Sequence, residues 1–164
     1  MNRKILSFSI LNVMSAIQKL QHYCAYQERC HSEVKYKCLE LGLRGDEVDQ
    51  AIAELISENY LNEERFARAY AGGKFRSKQW GRKKIIAELK QRQVSSYCIK
   101  KGMEEIDGDD YDAALTTLAE KKYASLSGEE PFKRKYKVVQ YLLQKGYEHE
   151  LAQPIVEQIA KDAA

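Results

Sequence analysis

The stretch VKYKCLELGLRGDEVDQAIAEL, running from Val34 to Leu55, decides the fold. Val34, Cys38 and Leu41 recur at the three- and four-residue spacing that gathers side chains on one face of a helix. Gly42 follows where a residue without a Cβ most readily takes the left-handed conformation that ends a helix. Asp46 then opens a second helix with acids in its first turn, where they meet the positive helix end. Val48, Ile52, Leu55 and Ile56 form its apolar face. The stretch predicts a helix, a short turn and another helix.

The same pattern returns twice, as IIAELKQRQVSSYCIKKGMEEI (Ile85 to Ile106) and VVQYLLQKGYEHELAQPIVEQI (Val138 to Ile159). Val34, Cys38, Gly42, Leu43, Val48, Ile52 and Leu55 correspond to Ile85, Leu89, Gln93, Val94, Ile99, Met103 and Ile106. They correspond again to Val138, Leu142, Gly146, Tyr147, Ala152, Val156 and Ile159. Six of these seven positions are apolar in every copy, which a chain 44% hydrophobic would rarely give by chance. The internal match implies one module used three times.

Each copy has a leading helix. The first is expected from about Ser15 to Arg29, with Ile17, Leu20 and Tyr23 or Cys24 along one side, and Ser32 is expected to cap the helix that follows. Asn62 caps the second leading helix, with Glu63 and Glu64 in its first turn and Phe66, Ala67 and Tyr70 turned inward. Asp109 or Asp110 opens the third, which continues through Tyr111, Ala114, Leu115, Leu118 and Ala119. The expected fold is all-α: tandem three-helix repeats, about nine helices, in an elongated molecule able to curve. The expected modules are 1–57 (with a short N-terminal tail), 58–107 and 108–164. Gly72–Gly73, Gly108 and the Ser125–Ser127–Gly128 stretch read as joints, with bending expected in the basic region and near Gly128. Helices this short cannot hide a large apolar face alone, so neighbouring modules are expected to share their cores.

Several function classes find no support. No stretch approaches the roughly 18 apolar residues of a membrane span, and the opening residues lack the pattern of a signal peptide. Cys24, Cys30, Cys38 and Cys98 sit inside helical patterns without framework spacing, as expected of free thiols in a reducing cytoplasm. His22 with Cys24, and Cys30 with His31, diverge around a helix and offer no tetrahedral zinc geometry. Gly72–Gly73–Lys74 lacks the preceding strand and the Lys-Ser/Thr ending of a phosphate-binding loop. Glu63–Glu64 and Asp109–Asp110 read as first-turn acids rather than nuclease carboxylates. The expectation is a protein that is not an enzyme and needs no cofactor or metal.

The net charge of +3 says little, but its distribution says more. Lys74 to Arg92 holds eight basic residues (Lys74, Arg76, Lys78, Arg82, Lys83, Lys84, Lys90, Arg92) against one acid, Glu88. Such a segment suits a phosphate backbone, whose neutralisation releases counterions. Trp80 within it is read two ways: as a platform for a base, or as a wedge in the joint between helices. A smaller run, Lys133, Arg134, Lys135 and Lys137, recurs at the equivalent place in the third copy, as Lys35 and Lys37 do in the first. Stacked modules would align these bases in one stripe.

These residues carry a family likeness. Tyr26 to Val34 followed by Leu39-Glu40-Leu41-Gly42-Leu43 resembles the opening module of the bacterial RecX family of recombination regulators. Leu61-Asn62-Glu63-Glu64-Arg65-Phe66-Ala67 resembles the family's signature run of leucine, aspartate, acid, glutamate or lysine, arginine, phenylalanine and alanine. Trp80-Gly81-Arg82-Lys83-Lys84-Ile85 with Glu88-Leu89 resembles its glycine-basic-isoleucine and glutamate-leucine element, and Lys133 to Tyr147 matches more loosely. The likeness covers about residues 15 to 160. Asn62 departs from the commoner aspartate, and Gln93 stands where glycine is expected, which predicts a less regular second turn.

The resemblance implies a cytoplasmic protein of tandem three-helix units that binds the RecA recombinase in the groove of its filament on single-stranded DNA. It implies reduced ATP hydrolysis and strand exchange by the recombinase, with no chemistry of the regulator's own. The expected contacts are Arg76, Lys78, Arg82, Lys83, Lys84, Lys133, Arg134, Lys135 and Lys137, with weak direct DNA binding besides. No heptad seam is present, so a monomer is expected. Two other classes compete. A helix-turn-helix DNA reader is opposed by the acids Asp46, Glu47, Asp49 and Glu54, and Glu104, Glu105 and Asp107, on or beside the second helix of a pair. An adaptor for another protein would bind without regard to DNA.

Overall fold

A computed structural model describes residues 2–164, and among the described residues it contains nine helices and no strand. They are α1 (Asn2–Tyr26), α2 (His31–Glu40), α3 (Asp46–Ser57), α4 (Glu63–Lys78), α5 (Arg82–Gln91), α6 (Ser96–Met103), α7 (Gly108–Ser125), α8 (Pro131–Lys145) and α9 (His149–Asp162). Consecutive helices form three triplets, and within each triplet every helix packs on the other two. The fold is a tandem of three-helix units. In the second unit α4 and α6 cross closely, because a Cβ on Gly102 would meet the Ala67 carbonyl oxygen at 2.8 Å.

The turn between the second and third helices of each triplet is the same structure three times. Gly42, Gln93 and Gly146 all adopt positive φ (88°, 60° and 98°). The next amide, of Leu43, Val94 or Tyr147, donates back to the carbonyl of Cys38, Leu89 or Leu142 at 3.0–3.1 Å. This is the bond that satisfies the last carbonyls of a helix. The expectation of a less regular second turn is therefore corrected, since Gln93 takes the left-handed conformation that its glycine counterparts take.

Four other expectations shift. The first helix ends at Tyr26 rather than Arg29, because the Arg29 guanidinium folds back over the Tyr23 ring at 3.8 Å and donates to the Tyr23 carbonyl. Ser32 does not cap α2; Cys30 holds the cap position with its N–H on the Glu33 carboxylate (3.0 Å), and the Ser32 hydroxyl donates to the Arg92 carbonyl at 2.8 Å. The third leading helix starts at Gly108, capped by Asp107, whose carboxylate accepts from Asp109 and Asp110. Gly72–Gly73 are not a joint but lie inside α4.

The buried apolar residues form two clusters. One belongs to α1–α3 and includes Leu20, Val34, Cys38, Val48 and Leu55, with Leu61 from the following loop. The other runs unbroken through α4–α9, joining Ile85, Leu89 and Ile106 to Val138, Leu142 and Val156, with Cys30 reaching in from the first triplet. Of the expected repeat core, Ile52, Met103 and Ile159 are only partly buried and pack at the edges. The second and third triplets thus share one interior, and the first has its own.

Candidate nucleic-acid and filament interface

The basic segment sits where α4 hands over to α5. Asn62 caps α4 by accepting the Arg65 N–H at 2.9 Å. The helix ends at Gln79 in left-handed conformation, and Trp80 and Gly81 lead directly into α5. The corner is fixed from behind by the third triplet. The N–H groups of Gly81, Arg82 and Lys83 donate to the Lys145 carbonyl (2.8 Å), the Tyr111 hydroxyl (3.1 Å) and the Gly146 carbonyl (3.0 Å). A helix start usually finds a side-chain acceptor within its own cap. Here the spent end of α8 and one phenol supply the acceptors instead.

The approach is backbone to backbone, since a Cβ on Gly81 would lie 2.2 Å from the Gly146 carbonyl carbon. Two fully buried tyrosines back it, Tyr111 and Tyr147, with ring centroids 4.9 Å apart. The Tyr111 hydroxyl donates to the Glu148 carboxylate (2.6 Å) and the Tyr147 hydroxyl to the Gln79 carbonyl (3.1 Å). Burial, reinforced by the bond to Glu148, pushes the Tyr111 phenol well above its ordinary value. Burial first, and then the Glu148 charge, pushes Tyr147 up to about 12.

The basic residues read from the sequence divide into two sets. Arg82 belongs to the joint, its guanidinium lying 3.8 Å from the Tyr111 ring centroid and 3.9 Å from Glu148. Arg134 stacks on Tyr123 at 3.6 Å and donates to its carbonyl. Lys135 pairs with Glu157 at 3.1 Å, Lys137 with Glu129, and Lys37 with Glu40. Of the recurring bases in the first and third units, Lys37, Lys135 and Lys137 are thus paired with acids, whereas Lys35 and Lys133 are exposed with no acid within ion-pairing distance among the described residues. Within the basic segment Arg92 pairs with Glu88 at 2.7 Å. Lys74, Arg76, Lys78, Lys83, Lys84 and Lys90 have no acid within ion-pairing distance among the described residues. Arg76, Lys78 and Lys83 are exposed, as is Lys133 on α8. Trp80 is half-buried against the shared core, with the Lys84 and Lys74 ammonium groups 4.5 and 5.1 Å from its ring.

The run around Asn62 has a different task, holding the first triplet to the second. Arg65 donates to Glu28 (2.6 Å), to the Asn59 side chain and carbonyl, and to the Tyr60 carbonyl. Glu63 lies 3.8 Å from His31 and accepts the Ser95 N–H. Glu64 pairs with Arg68, which also reaches Glu104 and Glu105. Phe66 is buried, 5.6 Å from Tyr70. Sequence reading missed Tyr111, Tyr147 and Glu148 as joint residues. The signal available was two tyrosines on core-facing positions, each needing a buried hydroxyl partner.

Among the described residues no group of three or more His, Cys, Asp or Glu is placed to hold a metal ion, and no helix is long and apolar enough to cross a membrane. Comparison with known proteins is consistent along the chain. Residues 62–103 match the family model of the RecX second three-helix domain, and residues 109–156 that of the third. The chain is 32% identical over 136 residues to the regulatory protein RecX of Clostridium perfringens (strain 13 / Type A), covering 82% of this chain and 63% of that protein. It therefore spans about six-tenths of that relative's length. It is also 32% identical over 122 residues to the regulatory protein RecX of Pelodictyon phaeoclathratiforme, covering 73% of this chain and 74% of the relative. The crystal structure of RecX from Lactobacillus salivarius superposes with a TM-score of 0.82 at 22% identity, over 93% of this chain and 98% of the other. A second crystal structure of regulatory protein RecX gives 0.85 at 18% identity, over 96% and 79%. At these identities the structural likeness speaks for the fold.

Proposed function

Because the chain belongs to the RecX family of regulatory proteins, we propose that it binds the RecA recombinase filament on single-stranded DNA in the cytoplasm. There it lowers ATP hydrolysis and strand exchange, as a monomer and without catalysis of its own. The units 1–57, 58–107 and 108–164 act as successive modules laid along the filament. Family membership supports a regulatory role. The observation that carries the finer reading is the set of unpaired cations at the α4–α5 corner, mounted on a two-triplet body that shares one core. A protein keeps so many like charges unpaired in one segment most readily where an anionic partner neutralises them. The contact set drawn from this geometry is Arg76, Lys78, Lys83 and Lys84, with Lys133 beyond them. Arg82 leaves that set because its charge is used within the joint.

The test is the single-stranded-DNA-dependent ATPase of RecA from the same organism, titrated with this protein at two salt concentrations. Inhibition that weakens as salt rises is expected. The triple reversal Lys78→Glu, Lys83→Glu, Lys84→Glu should weaken apparent affinity by roughly tenfold or more while leaving helicity unchanged. Absence of any effect on the ATPase, together with absence of filament binding, would overturn the proposal.

A further inference from the structure

The corner that bears the unpaired cations is built on the second triplet but held by the third. Of the six residues from Lys78 to Lys83, five have a backbone group bonded to that triplet. The carbonyls of Lys78 and Gln79 accept from the Lys145 ammonium (3.0 Å) and the Tyr147 hydroxyl (3.1 Å). The N–H groups of Gly81, Arg82 and Lys83 end on Lys145, Tyr111 and Gly146. The segment so held carries Lys78 and Lys83 and leads into Lys84. Within it Gln79 has a φ of 52°, a conformation that costs an L-residue energy and persists where surrounding bonds over-determine it.

Packing alone does not call for the two hydroxyls. Tyr111 and Tyr147 are fully buried, and phenylalanine would fill the same space without a polar group to desolvate. Neither ring can reach a partner from there. The first joint shows what the fold by itself needs. Phe66 follows the cap Asn62 at the spacing at which Tyr111 follows the cap Asp107, and Val94 corresponds to Tyr147 in the repeat. Neither counterpart has a hydroxyl. The first-joint positions that correspond to Lys78, Lys83 and Lys84 are Gln27, Ser32 and Glu33, with no cation among them. Buried hydroxyls therefore accompany the corner that bears the charges and are absent from the one that does not. A segment already ordered loses less freedom on binding, so fixing these ammonium groups before contact strengthens the contact without adding a charge.

We propose that Tyr111 and Tyr147 are positioning residues for the regulatory contact, through whose hydroxyls the third triplet fixes the backbone bearing Lys78, Lys83 and Lys84. The role depends on those cations meeting the RecA filament, as proposed for the regulatory function. The test compares wild type with Tyr111→Phe, Tyr147→Phe and, as a control, Tyr123→Phe, which takes the hydroxyl from another buried tyrosine of α7. All are studied at a temperature where circular dichroism shows each fully helical. Tyr147→Phe should accelerate amide exchange over residues 78–84 and weaken apparent affinity for the filament on single-stranded DNA by roughly two- to tenfold. Tyr111→Phe should do so at least as strongly, since it also strips the Glu148 carboxylate of its bond. Tyr123→Phe should change neither. The loss should be the same factor at low and high salt, because no charge has been removed. In the Lys78, Lys83, Lys84 reversal, adding Tyr147→Phe should cost less than about twofold more, because the bond acts through ammonium groups that are gone. Unchanged exchange over 78–84, an equal loss of affinity in Tyr123→Phe, or a full additional loss in the reversal background would each overturn the role. A wild type that never binds the filament would overturn the regulatory reading and this role with it. A wild type that binds, matched in affinity by Tyr111→Phe and Tyr147→Phe, would overturn the positioning role alone.

Discussion

Gln93 holds a backbone conformation that its counterparts Gly42 and Gly146 reach without a Cβ. Its side chain is exposed, and the turn it closes makes the same Val94-to-Leu89 bond as its sister turns. Nothing in the fold requires glutamine there, so the left-handed φ is a cost without a local return. That cost is roughly 1–2 kcal/mol for an L-residue, partly offset by the greater freedom glycine has when unfolded. Gln93→Gly is therefore expected to stabilise the protein by about 0.5–1 kcal/mol, read as a higher midpoint in thermal or urea unfolding. A lower midpoint would mean that the Gln93 side chain makes a contact worth more than the strain. The third turn does not permit the reverse exchange. A Cβ on Gly146 would meet the Lys84 Cβ at 2.4 Å, so glycine there answers to a neighbouring triplet as well as to its own turn.

At the scale of the element, α5 is the helix whose beginning belongs to another part of the chain. Its first N–H groups end on α8 and on Tyr111. A methyl group at position 81 would force α5 and α8 apart and release these donors. Gly81→Ala should then cost about 2–4 kcal/mol, from steric displacement and unsatisfied donors together. Hydrogen exchange at the Arg82 and Lys83 amides should accelerate well beyond that at the Leu43 amide, which bonds within the first triplet. Retained protection at Arg82 and Lys83 would show that the joint tolerates the methyl. Most of the elements were legible in the sequence because Val34, Ile85 and Val138 and their partners obey a local periodicity. The joint was not. It rests on two glycines 65 residues apart and on carbonyls that any residue carries, and neither leaves a mark in side-chain pattern. Ser32 was misread for a related reason: a hydroxyl near a helix start suits a cap, and only the fold places the Arg92 carbonyl beside it. The candidate contacts divide likewise, since Lys135 and Arg82 look as free as Lys83 until Glu157 and Glu148 are brought to them.

Taken whole, the molecule joins two triplets that share one core to a third that has its own. At positions equivalent to Gly81 and Lys145 the first joint has Cys30 and Arg92, and the backbone donor of the second joint is replaced by the Ser32 hydroxyl. Other ties include the Arg65–Glu28 pair at 2.6 Å, the Arg65 bonds to Asn59 and Tyr60, the longer His31–Glu63 approach and the burial of Cys30 in the neighbouring core. An open cleft of about 590 Å³, lined by Glu28, Phe66, Tyr70, Lys74 and Arg92 among others, lies beside that joint. Half-exposed ion pairs contribute little against solvent, whereas a continuous apolar core makes its members unfold together. The first triplet should therefore open at lower denaturant than α4–α9, which should lose protection as one unit. Arg65→Ala sharpens the contrast, because it removes four hydrogen bonds at or across the first joint. In the variant, exchange in α1–α3 should speed up while α7–α9 keep their protection, as followed by mass spectrometry of peptides from each triplet. All nine helices losing protection in a single step, in wild type and variant alike, would mean that Cys30 couples the two cores fully and that the filament-facing surface moves as one body.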